Sequence, residues 1–587
     1  MYNSRLDMKE YLWTASGFEP YGDSWKYGAI KAVLSSTLET ESIRVEGVYQ
    51  IEVPDEVIQL CREIEKVGGR ALLVGGSVRD AIISAELPGY DLKPKDYDLE
   101  VYGIEPDDLM KILEINFVLS QENKFGKAFE VIKIKINGWK EPLDISIPRQ
   151  DSKVGDGHGD FEITACPGMN IREAALRRDL KINSCAYDPL TRIMYDPYGG
   201  IEGIRNKVIE VTDKKSFQED ALRIYRIMQF VGRFDYTVSD ETVALCREMV
   251  ENGVIDKLSI DRISDEIKKF MIKSRKPSAG MEFALKIGLL EKYWPEAFAL
   301  VGVPQEKSWH PEGDVWKHTM QVMDAAAMIA DREKLDDTQR SILLWSALDH
   351  DLGKPVTTAI SETGKIISHG HEEAGVEPAM NLFARFAKPG EPKTGINMEV
   401  RNAVAALVKD HLRPKEMWID IVKKEQKLRG RIGRLARRLE KSGTSIYMLS
   451  LLAEADQRGR NGVENRPLER ENVEELIEWQ TWLWEKSKEQ NVITAAPKMI
   501  CRGETIKRLG GEMKSGPWIG AISECVFQDQ MEGSVTNEDE ATERAAYYFG
   551  ILTERVRIVS RETERDERSI WEEIRMADDP RVYCVTV

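Results

Sequence analysis

Two carboxylates, a pair of glycines and a concentration of histidines carry the chemistry open to this chain of 587 residues. In the stretch from Ala71 to Glu100, ALLVGGSVRDAIISAELPGYDLKPKDYDLE, the apolar run Leu72-Leu73-Val74 ends in Gly75 and Gly76. Ser77-Val78-Arg79-Asp80 then opens a helix-like segment, and Asp96-Tyr97-Asp98 leads into a second strand-like run. Paired glycines after a strand let backbone N–H groups approach a phosphate with no Cβ in the way, and the N-terminus of the following helix adds partial positive charge. Asp96 and Asp98 stand two apart, so on a strand both carboxylates point to one face, where they can hold Mg²⁺ against a triphosphate. Alone, the glycines are most often an ordinary turn and the carboxylates a solvated strand end; their ordered combination is far more specific.

A second set lies further on. Six of the seven histidines fall between 310 and 411: His310 and His318 in WHPEGDVWKHT, His350 in LDHDLGKP, His369 and His371 in SHGHEEAG, and His411 in VKDHLRP. Neutral imidazoles together with Asp351 form a nitrogen and oxygen ligand set suited to a transition metal, and a metal-bound water is a hydrolytic nucleophile near neutral pH. Lys423 to Lys441, KKEQKLRGRIGRLARRLEK, has nine basic residues against two acidic ones in a chain whose net charge is −17. A charge run is usually a solvated face, but this imbalance of sign makes Lys423, Lys424, Lys427, Arg429, Arg431, Arg434, Arg437 and Arg438 candidates for contact with an RNA backbone.

The order LxGGxxRD…DxD resembles the class II tRNA nucleotidyltransferase and poly(A) polymerase family, and ALRRDLKINSCAYDP looks like that family's RRDFTINALAYD element. The resemblance implies an α+β fold, with an N-terminal nucleotidyltransferase head of mixed β-sheet and helices followed by all-α neck, HD and C-terminal domains. It makes Asp144, in LDISIPR, a third catalytic carboxylate, the alternative being a plain ion pair with a nearby lysine. It also implies nucleotide binding by Gly75, Gly76, Arg79, Arg178, Asp179, Asn183 and Arg226. Arg178 would clamp phosphate or ribose through forked donors, and Asp179 would accept from a ribose hydroxyl. SFQEDALRIYRIMQFVGRF reads as one helix from Ser216 to Phe234, with Asp220 and Arg223 three apart and so projecting together. An aspartate accepts from the amino group of cytosine or adenine and an arginine donates to the ring acceptors, so the pair would imitate a Watson–Crick partner. Its alternative is a surface salt bridge. Lys181, Ser184, Cys185 and Ser84 depart from the family pattern.

The H…HD…H arrangement resembles the HD phosphohydrolase superfamily, and its HPEGD and HGHxxAG surroundings look like the HD domain fused to bacterial CCA-adding enzymes. This implies His318, His350, Asp351, His371 and Asp456 as ligands for a transition metal such as Ni²⁺ or Mn²⁺, or for Mg²⁺. It also implies hydrolysis of phosphomonoesters or 2′,3′-cyclic phosphates, unless the HD fold is kept for architecture alone. Residues 500 to 541 resemble the helical part of these enzymes that holds tRNA.

The elements that position these groups follow in order. PDEVIQLCREIEKVGG reads as an amphipathic helix with Leu60 and Ile64 on one face, and residues 117 to 149 alternate as strands of a half-buried sheet. Residues 150 to 168, rich in Gly and Asp, read as a mobile loop, and residues 238 to 299 as helices. The expected division is an N-terminal extension (1–50), head (51–212), neck with the nucleotide-recognition helix (213–300), HD domain (301–465) and C-terminal helices (466–587). Seven scattered cysteines without a CxxC pair argue for reduced thiols, the N-terminus is too charged for a signal peptide, and no apolar run approaches a membrane span. The expectation is a cytoplasmic, bifunctional enzyme, monomer or dimer, that adds C, C and A from CTP and ATP to the tRNA 3′ end with two Mg²⁺ ions, and does not engage a membrane. A poly(A) polymerase, a CC- or A-adding specialist, and a protein acting mainly as an HD phosphohydrolase on RNA ends remain alternatives.

Overall fold

The computed structural model describes residues 11–14, 17–20, 44–45, 49–90, 92, 96–116, 131–136, 139, 142–153, 161–388, 395–424, 430–460, 478–511, 513–577 and 580–584. The chain forms two compact units, Met1–Lys292 and Tyr293–Val587.

The first unit is built on a seven-stranded mixed sheet. Its strands in chain order are β1 (Arg44–Val45), β2 (Arg70–Val74), β3 (Asp98–Tyr102), β4 (Ile132–Ile134), β5 (Leu143–Ser146), β8 (Ala186–Asp188) and β9 (Ile193–Tyr195), and they lie side by side as β1-β9-β8-β2-β3-β5-β4. The intervening β6 (Arg149–Lys153) and β7 (Phe161–Ala165) form a separate antiparallel hairpin. That hairpin corrects the expectation of a loop over 150 to 168. Phe161-Glu162-Ile163-Thr164 alternates as a strand should, but glycines and aspartates between the arms hide the pattern; residues 154–160 lie outside the described ones.

Central β2 is flanked by α1 (Asp55–Lys66), which buries Val57, Leu60, Cys61 and Ile64, and by α2 (Gly76–Glu86), which buries Ile82 and Ile83. Register matters most here. Val74, the last residue of β2, pairs with Asp98 on antiparallel β3, and Asp98 pairs with Asp144 on parallel β5. Because side chains alternate along a strand, a slip of one residue would send each carboxylate to the opposite face.

The expected single helix from Ser216 to Phe234 is two: α3 (Lys214–Glu219) and α4 (Leu222–Phe234). Asp220 is extended between them, and its side chain accepts from the Leu222 amide at 3.1 Å, the local competition by which aspartate interrupts helices. Helix α4 packs on α5 (Ile260–Lys273) and α6 (Pro277–Lys286), so closely that a Cβ at Gly280 would stand 2.5 Å from the Phe270 ring and 2.7 Å from the Met228 carbonyl. The unit is then closed by a ring of charged contacts. Arg79 donates to Asn183 Oδ1 (2.8 Å), Asn183 to Asp179 Oδ1 (2.8 Å), and Arg226 of α4 to Asp179 Oδ2 (2.6 Å). Arg233, also on α4, donates to Asp80 (2.8 Å), which accepts in turn from Arg79 (2.6 Å).

The second unit is helical. Helices α7 (Val315–Glu333), α8 (Asp337–Asp349), α10 (Met398–Asp410) and α12 (Ile446–Arg458) pack together, with the short α9 (His371–Ala374) and α11 (Arg431–Lys441) set among them. Trp294, Trp345, Phe383 and Phe386 form an aromatic cluster beside them. Helices α13 (Pro517–Met531), α14 (Glu538–Thr563) and α15 (Glu567–Met576) enclose a further core around Trp518, Cys525 and Trp571. All seven cysteines are free, and among the described residues no helix is long and apolar enough to cross a membrane.

The ring of contacts sets a pH-dependent term. Burial alone would raise the Asp179 carboxyl, but Arg226 and Asn183 hold it below its ordinary value. A depressed folded-state carboxyl contributes stability that is present above its unfolded pKa and lost as pH falls through the folded one. Arg226→Gln is therefore expected to destabilise the first unit by about 2 kcal/mol at pH 7, the worth of a charge-assisted hydrogen bond. The gap to wild type should narrow below about pH 4, where Asp179 is protonated in the unfolded chain; denaturant melts at the two pH values check it.

Candidate active sites

In the first unit the site assembles where β2 ends. Gly75 has φ +74°, and a Cβ there would lie 2.9 Å from Asp98 Oδ2 and 3.7 Å from Arg178 Nη1. Only glycine satisfies both the backbone angle and the close approach of the carboxylate. At Gly76 a Cβ would meet only an ordinary contact with Arg79, at 3.7 Å. Asp98 is the first residue of β3, half-buried, whereas Asp96 lies two residues before the strand and is exposed; strand alternation fixes Asp98 alone. Burial pushes the Asp98 carboxyl above its ordinary range; Arg178 pulls it back, and Asp144 and Asp96 push it up further. Asp144 is paired with Lys133 at 2.8 Å, a lysine 60 % exposed, so this surface pair costs little to open. Oxygen donors that repel one another beside a bare glycine turn fit Mg²⁺, a hard cation bound through carboxylates and phosphate oxygens. Asp96, Asp98 and Asp144 are the residues that would hold it.

Arg178 lies beside Glu100 (3.4 Å) and faces Asp98, and the charges of Glu100 and Asp98 overcome its burial to keep it firmly cationic. Arg79, Asp179 and Asn183 are buried in the ring described above, so they brace the turn against α4. Asp220 and Arg223 do not pair with each other. Asp220 accepts from Arg262 at 2.8 Å, while Arg223 donates to the Ser216 carbonyl (2.8 Å) and the Arg177 carbonyl (2.9 Å). Arg262 was not visible as a partner, being 42 residues away.

In the second unit His318 comes from α7, His350 and Asp351 from the end of α8, His371 from α9, His411 from the end of α10, and Asp456 from α12; all six are buried. Each imidazole has its Nδ1 against an acceptor: Glu312 Oε1 for His318 (2.8 Å), Ala347 O for His350 (2.9 Å), Ser368 O for His371 (2.7 Å) and Val408 O for His411 (2.7 Å). A proton on Nδ1 would leave each Nε2 with its lone pair facing inward, while, against the effect of burial, Asp456 and Glu312 favour the protonated form of His318. His318 and His350 then oppose Nε2 to Nε2 at 3.3 Å, and His371 and His411 at 3.2 Å. Two lone pairs at that distance repel unless a cation sits between them. Ligands ~2.1 Å from one ion stand about 3.0–3.4 Å apart, so the spacing fits a metal.

Asp351 joins the two pairs. Its Oδ2 is 3.2 Å from His350 Nε2 and its Oδ1 3.3 Å from His371 Nε2, one oxygen to each pair, while Asp456 Oδ1 adds to the first pair at 3.0 Å from His318. Burial and the neighbouring His371 and His350 push His411 down to about 3, so its imidazole is neutral at physiological pH. Although its burial acts in the opposite sense, hydrogen bonds from His310 and His318 hold the Glu312 carboxyl at about 2. His411 and Glu312 lay outside the ligand set carried over by resemblance. Their signals were present in VKDHLRP, as one more histidine of the cluster, and in the acidic residue of HPEGD.

In the basic run, the candidate RNA contacts, several cations are matched by acids. Lys424 and Arg431 pair with Asp420 (3.1 and 2.9 Å), Arg437 with Glu440 (3.0 Å), Arg438 with Asp410 (2.7 Å) and Arg434 with Glu532 (3.6 Å), while Lys423 lies over the Trp418 ring. Lys427 and Arg429 lie outside the described residues. A cavity of 440 Å³ is nevertheless lined by seven cations, among them Lys409, Arg413, Arg431, Arg434 and Arg438, with Glu524 as its acidic residue.

Both units resemble known proteins. The Poly A polymerase head domain family matches residues 71–210 and the HD domain family residues 315–442. The Multifunctional CCA protein of Stenotrophomonas maltophilia is 32 % identical over 396 residues, 67 % of this chain and 87 % of that protein. Its namesake from Nitrosococcus oceani is 31 % identical over 403 residues, 68 % and 87 % of the two chains. The fold is similar to that of the Bacillus stearothermophilus CCA-adding enzyme solved in complex with CTP, at a TM-score of 0.51 and 19 % identity over 87 % of this chain and 99 % of that one. The two domain matches in this order, and relatives at over 30 % identity across most of their length, show that the chain belongs to the class II tRNA nucleotidyltransferase and poly(A) polymerase family, in the branch that carries an HD domain.

Proposed function

We propose that this nucleotidyltransferase rebuilds the 3′ end of tRNA, adding C, C and A from CTP and ATP without a template, and that its second unit is a metal-dependent phosphohydrolase. The observation that carries the first activity is the meeting of Gly75, Asp98, Asp144 and Arg178 at the end of β2, and the names of the relatives support the product. Asp96, Asp98 and Asp144 would hold two Mg²⁺ ions, which would supply activation of the attacking 3′-hydroxyl and neutralisation of charge on the leaving pyrophosphate. The chain's own share is positioning and charge stabilisation. Gly75 leaves the backbone open to the triphosphate, Arg178 stays cationic beside the reacting phosphate, and Asp179 and Asn183 set the ribose position through the ring they share with Arg79 and Arg226. In this reading Asp220 exchanges its contact to Arg262 for the amino group of the incoming base, and Arg223 donates to the ring acceptor beside it. The tRNA backbone follows the basic run, including the cation-lined cavity, and the domain division expected from the sequence is retained.

For the second unit, the inward-facing Nε2 pairs bridged by Asp351 support a site for two metal ions, one at His318, His350 and Asp456 and the other at His371 and His411. Lys354, whose Nζ is 2.7 Å from Asp351 Oδ2, and Arg460, 2.6 Å from Asp456 Oδ2, would hold the phosphate of the ester against it.

Incubation of the protein with Mg²⁺ and tRNA lacking its terminal CCA is expected to give two C additions from CTP alone and a completed CCA when ATP is also present, read at single-nucleotide resolution. A long A tail would instead assign a poly(A) polymerase. Asp98→Asn should remove incorporation by about a thousandfold or more. Gly75→Ala, which strains the turn and displaces the carboxylate, should lower it by about a hundredfold and destabilise the unit by about 1 kcal/mol. After equilibrium dialysis against Ni²⁺ with excess Mg²⁺ to occupy the head carboxylates, elemental analysis should find about two Ni²⁺ per chain and about one in His411→Ala; one Ni²⁺ in both proteins would reduce the site to a single metal.

A further inference from the structure

Resting on the phosphohydrolase reading of the second unit, we propose that Trp309 is the platform on which that site stacks a nucleobase, so that its substrate is a nucleoside phosphate or an RNA 3′ end rather than a bare phosphate ester. Trp309 is predominantly exposed, at 60 %. An indole offers the largest flat π-face of any side chain, the surface on which a base stacks.

The residue is fixed in place. Its amide and that of His310 both donate to the Glu306 carbonyl (3.0 and 2.9 Å), and the Glu306 carboxylate accepts from the Ile366 amide (3.2 Å) and from Ser308 (3.2 Å). Lys415 lies over the indole with its Nζ 4.7 Å from the ring centroid. The adjoining His310 meets the ring of the metal-ligand candidate His318 edge-on at 4.7 Å and shares Glu312 with it. The platform is thus tied through one peptide bond to the site's own support.

Trp309 lines a cavity of 300 Å³ together with Asp351, His371, His411 and Asp456, and the cations of that cavity are Lys354, Lys415 and Arg460. The volume is at the small end of ligand sites and suits a single nucleotide. Cations beside the inward-facing imidazoles match a phosphate, and an exposed aromatic ring on the same wall matches a base. Stacking accepts any base, because each has a π-face, and contributes a roughly tenfold gain in affinity per base. It therefore selects nucleotides as a class over other phosphate esters.

The test uses the full chain as wild type, Trp309→Ala and Trp309→Phe. The first probe is 2-aminopurine riboside 3′-monophosphate, whose fluorescence is quenched by stacking, titrated onto metal-free and Ni²⁺-loaded protein. Quenching by wild type and Trp309→Phe, lost in Trp309→Ala, is expected. The second readout compares hydrolysis of adenosine 2′,3′-cyclic phosphate with that of glycerol 2-phosphate. Trp309→Ala should raise KM for the nucleotide about tenfold, leaving its kcat, the glycerol phosphate kinetics and CCA addition unchanged, and Trp309→Phe should restore KM. Absence of quenching in wild type, or equal effects on both esters, overturns the platform. A wild type that quenches the probe but hydrolyses neither ester overturns the phosphohydrolase reading and leaves the platform standing.

Discussion

The first unit depends on strand register. Val74, Asp98 and Asp144 are neighbours across β2, β3 and β5, so three backbone segments converge on the point where β2 gives way to Gly75. The sheet core, with Leu72, Leu73, Leu99, Val101, Leu143 and Ile145 all buried, holds the carboxylates against their mutual repulsion. A folded state that pushes Asp98 above its ordinary range carries an electrostatic cost, and the cost falls where a cation would relieve it. The arginine ring on the other side of the turn does the complementary work, since Arg79, Asp179 and Arg226 each find a partner of opposite charge and fasten α4 to the head.

Much of this was legible in the residues. The glycine turn, the strands on either side and the amphipathic helix over 55 to 66 follow from local pattern, because glycine conformational freedom and period-two or 3.6 burial act over a few residues. What the pattern missed has a physical reason in each case. The helix over 216 to 234 is broken because Asp220 turns its carboxylate onto the Leu222 amide, and a helical propensity scan weighs aspartate without asking where its side chain goes. The hairpin at 149 to 165 hid behind glycines in its connection.

Charge was the least legible quantity. The basic run reads as nine basic residues against two acidic ones, yet Arg438 is matched by Asp410 and Arg434 by Glu532, from 28 residues before and 98 residues after in sequence. Only the fold brings such acids in. The histidines show the same limit from the other side. The order H…HD…H made a metal site readable, but that Asp351 gives one oxygen to each of two imidazole pairs, with His411 completing the second, depends on where α8, α9 and α10 end.

The donor sets of the two units differ in kind. The head offers oxygen atoms alone, whereas the second unit offers four imidazole nitrogens already turned inward by their carbonyl and carboxylate partners. Hard ions prefer the former and borderline ions the latter. The two units would therefore favour different ions. Under the proposed function, loss of a borderline ion would stop hydrolysis and leave nucleotide addition, which would rest on the hard ion of the head, untouched.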